Sequence, residues 1–451
     1  MPPTPALCQR TALACAALLA ALARPARADP ALTLDGALEL AAAKNADLLS
    51  ARADADAGRA DVQSARAAVL PRLDLQSTFG RDYWGAGPVT VIDGFSFPQP
   101  AGNSAAYGFN LQATQTIFDL SRQRTLEEAR HASRAGERQV DEAALLVSFQ
   151  VTERFYNLVK EERILSVLGQ TAARSEELVG RADALFAAGR TPKSETYSAR
   201  VNLSSDRIAV EAEELRVAQA RSALAQVLGW ADPQGLQVVA PPELDQARTE
   251  AEEPPPLEAL LARARERRPA LAVEEARVAA ARAGVGLARS GEYPTLLLQA
   301  TYSRSGMRLG GRDGVYGDPS RAYNATGQLV LSWNLFQGFG TAAQVTKAEA
   351  GLKKAEALAQ ASSETVAVEV ENARSAVVSL SRQERLAREN LQVARDALRL
   401  ATERFNAGLA TQLEERDASL KLAQAELTLV ESRIDHTVAR ADLVRAVGGT
   451  L

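Results

Sequence analysis

The chain has 451 residues, a formal net charge of −4, 24% charged residues and only 5% aromatic ones. That balance gives no electrostatic case for nucleic-acid binding, which needs a basic face. Its abundance of Ala, Leu, Arg and Glu favours long helices over a compact mixed fold.

Residues 1–28 form a leader. Arg10 precedes the short apolar run TALACAALLAALA, and Ala26 and Ala28 supply an Ala-x-Ala site before Asp29. Positive charge, apolar core and small-residue site in that order predict a secretory signal peptide cleaved after Ala28. The run of about 13 residues falls short of the ~20 that a spanning helix requires. Lipid attachment at Cys15 is the less favoured alternative, because the apolar run continues past the cysteine and Ala12 replaces the usual upstream leucine. Cys8 and Cys15 are the only cysteines, so cleavage leaves an exported, more acidic chain without thiols.

The next residues, 29–229, predict one structural unit. A helix over about 33–67 is followed by strands over about 71–81 and 106–117, then by helices over about 121–188 and 192–228. A proline- and acid-rich linker, 230–255, separates this unit from a second, 256–451. There the same order recurs, with a helix over about 256–289, strands over about 294–304 and 323–335, and helices over about 340–407 and 411–446. The two units are copies. Pro71, Leu73, Leu75 and Phe79 match Pro294, Leu296, Leu298 and Tyr302 at one constant offset. Ile117-Phe118-Asp119 answers Leu335-Phe336-Gln337, and Gly229 answers Gly448.

In 71–81 apolar Leu73, Leu75 and Phe79 alternate with polar Arg72, Asp74, Gln76 and Thr78. Alternation over about ten residues means two different environments on the two faces. A soluble sheet would satisfy this, but the export signal favours lipid on one side and an aqueous lumen on the other. So do aromatic residues near strand ends: Tyr83, Trp84, Tyr107, Tyr293, Tyr323 and Trp333. Four strands cannot close a barrel, and open edges are not tolerated in hydrocarbon, so the membrane reading demands an oligomer. The long helices lack internal proline. Leu391, Ala394, Leu398, Ala401 and Phe405, and likewise Leu420, Ala423, Leu427, Val430 and Ile434, step by three and four as packing seams do.

Catalytic chemistry finds no constellation. His131 and His436 lie in predicted helices without ligand partners at usable spacing and read as surface residues. GVGLARSG, 284–291, follows no strand and aligns with helical GRADVQSAR of the first copy, so it is not a nucleotide loop. No cofactor, metal or enzymatic activity is expected. Met307 is the only methionine after the leader, which argues against a methionine-lined copper or silver path.

The two-copy order resembles that of TolC-like outer-membrane efflux proteins over essentially the whole mature chain. The strand exits ATQTIFDLS and LSWNLFQGFG and the turns FAAGRTPKSE and FNAGLATQLEERD carry the resemblance. It implies a mainly α protein with a membrane β-barrel: a homotrimer with a twelve-stranded barrel, four strands per chain, continued by a long periplasmic α-helical barrel in the outer membrane of a Gram-negative bacterium. It further implies surrounding outer-membrane lipid, a periplasmic adaptor protein docking at the helix turns, and an inner-membrane transporter beyond it. Phe186, Gly189, Arg190, Phe405 and Gly408 mark those turns. The family's acidic gate falls at Glu414 and Asp417, with Glu195 at the acid position of the first copy. Where the family's closed tips place a basic residue after the turn glycine, this chain has Ala410, so the closing contacts must differ. The function implied is the passive, gated exit duct of a tripartite efflux pump. A type I protein-secretion duct and, in another class, a periplasmic coiled-coil scaffold or adaptor are the alternatives.

Overall fold

A computed structural model describes residues 32–244, 253–312, 314–320 and 323–449. The leader, with Cys15, and part of the linker lie outside the described residues. The chain separates into two compact units. One contains 142–268 and 366–451 with the N-terminal stretch, and the other contains 51–141 and 269–365.

The second of these units carries the sheet. β1 (Arg72–Trp84) and β4 (Gly102–Phe118) belong to the first copy, and β5 (Thr295–Gly306) and β6 (Tyr323–Ser332) to the second. A short hairpin, β2 (Thr90–Ile92) and β3 (Phe95–Phe97), lies between β1 and β4. The four long strands are antiparallel in the order β1-β4-β5-β6, so the two copies meet along the central β4–β5 pair. Register puts Leu75 opposite Leu111 and Leu111 opposite Tyr302, all on one face. The other face aligns Gln76 with Asn110, Gln112 with Thr301, and Gln299 with Gln328, the last pair joined by a 2.7 Å hydrogen bond. Leu73, Leu75, Phe79, Leu329 and Leu331 are all more than half exposed in the single chain and form an apolar band along the sheet.

Three strands run to bounds other than those the alternation predicts. β1 continues to Trp84 because β4 begins early, at Gly102, and Trp84 pairs with it. β6 stops at Ser332, short of the predicted 335. Its partner β5 begins only at Thr295, opposite Ser332, and an edge strand cannot continue past its single partner.

The helices are α1 (Leu34–Lys44), α2 (Ala46–Ala67), α3 (Leu120–Ala187), α4 (Lys193–Leu228), α5 (Leu257–Arg267), α6 (Pro269–Arg289), α7 (Gly340–Asn406) and α8 (Gln412–Val447). No helix among the described residues is long and apolar enough to cross a membrane. Two helices expected to be continuous are broken, at equivalent places. In the first copy Asn45 leaves the helical conformation, and its Oδ1 accepts from the amides of Asp47 and Leu48 at 3.0 and 3.1 Å, capping α2. Its Nδ2 donates to the carbonyl of Val227 at 2.9 Å. In the second copy Arg268 precedes Pro269, whose ring disfavours a helical residue before it while suiting the first helical position. There the Arg268 guanidinium donates to the carbonyl of Arg445 and pairs with Glu142 at 3.0 Å. Each break thus fastens the start of its copy to the end of that copy's last helix.

Those last helices end in Gly229 (φ 64°) and Gly448 (φ 89°), both left-handed. A Cβ at Gly229 would sit 3.1 Å from the Lys44 carbonyl oxygen, and one at Gly448 would sit 2.7 Å from the Arg267 carbonyl carbon. Phe155, Leu158, Leu224, Leu228, Leu260 and Leu443 are fully buried in the same unit. The linker joins this core. Leu32 forms a parallel bridge with Val238, Leu236 is buried, and Arg433 donates to the Leu244 carbonyl at 2.8 Å.

Two expectations are corrected. His436 is buried, with Nδ1 2.8 Å from Glu384 Oε2. Burial pushes the Glu384 carboxyl up, but the hydrogen bond and charge of His436, with Arg388 and Arg433, outweigh it and hold it below its ordinary value. On α8 the residues packed into the cluster with Leu391 and Ala394 are Leu422 and Ala425 with Leu429, whereas Leu420 is 45% exposed. The buried side of α8 is wider than one seam because Ala423 and Ile434 are buried as well.

Gly189 offers a control for the Gly448 contact, since its φ is 70° and a Cβ there would meet nothing within 4 Å. Gly189→Ala is expected to cost only the left-handed penalty, about 1–2 kcal/mol. Gly448→Ala must also displace backbone and should lower the thermal unfolding midpoint distinctly more, as followed by circular dichroism.

Candidate functional site

The predicted site residues cluster at two helix turns in one unit. α3 ends with the Gly189 amide donating to Phe186 O and the Arg190 amide to Leu185 O, both at 2.9 Å. α7 ends the same way, Gly408 to Phe405 and Leu409 to Arg404, with Gly408 at φ 74°. These 6→1 and 5→2 bonds are the Schellman ending that a left-handed glycine permits. Phe186 is 42% exposed, while the Phe405 ring is half-buried with the Arg181 guanidinium 5.8 Å from its centroid.

Glu414 and Asp417 share the first turns of α8 and both are exposed. Thr411 caps that helix, its hydroxyl accepting from the Glu414 amide at 3.3 Å. Each acid has a basic neighbour: Arg404 is 3.6 Å from Glu414, and Lys421 is 2.7 Å from Asp417. Exposed pairs of this kind are worth little and leave the carboxylates accessible. Glu195 does not join them. It sits in the first turn of α4, half-buried, on the wall of a cavity of about 250 Å³ shared with Leu178, Ala199, Leu413 and Arg416.

The residues between the two predicted acids matter more to the packing. Glu415 and Arg416 are both buried. Glu415 accepts from Arg181 Nη1 of α3 at 3.2 Å and from Thr402 of α7 at 3.3 Å. Arg416 donates to Asp206 of α4 at 2.9 Å and to Ser175 of α3 at 2.6 Å, and Ser175 in turn donates to Asp206. All four helices of this part of the unit are therefore tied through two consecutive residues. Sequence reasoning missed them, although a signal existed. Stepping back seven residues from buried Leu422 and Ala423 lands on Glu415 and Arg416, two charges where the packing stripe continues. Among the described residues no three His, Asp or Glu are placed to hold a metal ion.

A sheet with an apolar outer face, continued by paired long helices and written twice, is the arrangement on which the comparisons bear. The family model described as "Outer membrane efflux protein" matches residues 37–230 and again 260–449. The chain belongs to the outer membrane efflux protein family. Family members include outer membrane protein OprJ of Pseudomonas aeruginosa, to which it is 25% identical over 418 residues, covering 91% of this chain and 83% of OprJ. Similarity to outer membrane protein TolC of Escherichia coli is 25% over 421 residues, covering 90% and 80%. In fold it is similar to the crystal structure of the CmeC outer membrane channel of Campylobacter jejuni, with a TM-score of 0.79 at 18% identity over 92% of this chain and 85% of that one. As a TolC-like member of this family the protein is placed in the outer membrane of a Gram-negative cell, its strands contributing to a β-barrel and its helices to a periplasmic helical barrel.

Arg416→Met should cost about 3–5 kcal/mol, because the largely buried Asp206 carboxylate loses its cation and keeps only the Ser175 hydroxyl. Adding Asp206→Leu should recover part of that loss in urea unfolding of the detergent-solubilised protein, whereas two surface residues would show simple additivity.

Proposed function

We propose that the protein is one protomer of a homotrimeric, passive, gated exit duct of a tripartite efflux pump. The sheet supports this most directly. β1 and β6 are each hydrogen-bonded on one side only, and the sheet's outer face exposes the apolar band of Leu73, Leu75, Phe79, Leu329 and Leu331. Open edges are untenable in hydrocarbon, and three copies joined β6 to β1 give a closed, even-numbered barrel of twelve strands. Each chain supplies this share as two repeats, 29–229 and 256–451, joined by the linker 230–255.

The turns at Phe186–Arg190 and Phe405–Gly408 are the docking points for a periplasmic adaptor protein, through which an inner-membrane transporter supplies the energy. The sequence carries no nucleotide-binding loop of its own. Glu414 and Asp417, repeated around the trimer axis, line the constriction and make it attract cations and repel anions. Glu195 is the acid at the first copy's turn. Since Ala410 cannot lock the mouth, the Arg416–Asp206–Ser175 and Glu415–Arg181 contacts hold the helices in the closed arrangement.

Single-channel recording of the purified, detergent-extracted protein in a planar bilayer tests the reading. Small, reproducible, cation-preferring steps are expected. Glu414→Gln with Asp417→Asn should reduce the cation preference, and Arg416→Ala should enlarge the steps. A protein recovered without detergent from the periplasm and giving no conductance would sink the duct and leave a helical scaffold.

A further inference from the structure

The outer face of the sheet bears a feature that a plain barrel wall does not need. In the β5–β6 connection, residues 308–312 and 314–318 fold back over the apolar face. Within it the Val315 amide donates to Arg308 O and the Tyr316 amide to Leu309 O, both at 3.0 Å. Val315 is 2% exposed, and the Tyr316 ring meets Phe109 edge-on at 6.4 Å. Phe109 stands opposite Arg304, also on the outer face, and Arg304 Nη2 donates to the loop carbonyls of Gly314 and Asp318.

Between loop and sheet lies a cavity of about 420 Å³, walled by Phe79, Tyr107, Leu309, Val315 and Tyr316. Phe79 and Tyr107 pair across β1 and β4 with ring centroids 5.1 Å apart. The wall is mostly apolar and aromatic, with Ser77, Thr78 and Gly108 completing it, and it opens on the side that the barrel turns to lipid. Arg81 stands two residues beyond Phe79 on the same face, about 7 Å along the strand. It is exposed, lies over the Tyr83 ring at 5.7 Å, and spends one donor on Asn103 at 3.1 Å. A guanidinium has five donors, so most remain to bind an external oxyanion. Exposed Arg308, backbone-paired with Val315 of the cavity wall, adds a second positive charge at the same end of the sheet. That end lies away from α2, α3 and α6 and, in a barrel whose helices are periplasmic, at the outer leaflet.

We infer that this cavity and Arg81 form a binding site for a phosphorylated lipid of the outer leaflet, an acyl chain entering between loop and sheet and a headgroup phosphate meeting Arg81 and Arg308. The occupant follows from the pairing of chemistries. An apolar slot with a cation at its outer mouth matches an amphiphile carrying an anionic head, and bidentate guanidinium donors suit phosphate best. A neutral detergent or apolar substrate would leave the arginines unused, and free phosphate would leave the slot empty. The inference rests on the outward face being lipid-facing, as in the duct reading.

The test uses the full-length protein in a neutral detergent, titrated with lipid A, a diphosphorylated glycolipid, and read by native mass spectrometry. Diacylglycerol, a lipid without phosphate, and inorganic phosphate serve as comparison probes. Arg81→Glu and Leu309→Trp, both at exposed positions, should each lower lipid A retention about tenfold or more without changing the oligomer. Diacylglycerol binding should be insensitive to Arg81→Glu, and millimolar inorganic phosphate should fail to strip the bound lipid. Lipid A retention by either variant equal to the parent's, or complete displacement by inorganic phosphate, overturns the site. Bilayer recordings on the same preparations separate the two readings: lipid retained by a protein that never conducts refutes the duct and keeps the site.

Discussion

Backbone hydrogen bonding in a medium without water is the constraint from which the rest follows. Inside hydrocarbon each strand must find a partner on both sides, because an unmet N–H or C=O costs several kcal/mol. Within one chain that condition is met for β4 and β5 and unmet for β1 and β6. The shortfall is the same whether viewed from the first copy or the second, since each contributes one inner and one edge strand. A single copy would close a ring only with many subunits. Two copies joined through β4–β5 halve that number while keeping every strand pair antiparallel.

The duplication is maintained in the helices by geometry rather than by residue identity. Asn45 and Arg268 share neither charge nor size, yet both interrupt a helix and donate to the carbonyl end of their copy's last helix. Gly229 and Gly448 are the fixed elements of the arrangement, because each must turn left-handed against backbone arriving from the break. The donor is free to vary as long as it reaches. In the second copy the longer side chain also reaches Glu142 and Glu369, so one buried cation ties α3 and α7 to the break.

This explains which parts were legible from residues alone. Strand faces could be read because alternation is local and the two environments differ along every strand. The turn glycines could be read because left-handed backbone leaves a residue signature within a few positions. The break at Asn45 could not, since its partner Val227 is 182 residues away and the apolar spacing runs through it unaltered. Pro269 was a usable local sign of the second break, and the equivalence of the copies would have carried it to the first. His436 looked like a surface residue for the same reason, because Glu384 belongs to another helix. Glu414 and Asp417 are singled out only through the family resemblance, by their place after the turn glycine, whereas the burial of Glu415 and Arg416 depends on partners in other helices.

That last pair shows how the exposed acids and the buried clamp depend on one helix. Consecutive residues on an α-helix point about 100° apart. Glu415 can therefore address Arg181 and Thr402 while Arg416 addresses Ser175 and Asp206, and Glu414 and Asp417 remain on the exposed side. The two clamps have opposite polarity, anion from α8 in one and cation in the other, so the buried set brings no net charge toward the exposed acids. Rotating α8 to move Glu414 and Asp417 away from an axis would carry both buried charges out of register together. Each would then face a desolvation penalty without its partner, which makes such a rotation costly. In the duct proposed above, the constriction therefore keeps its setting until a partner supplies differential binding energy for the rotated state.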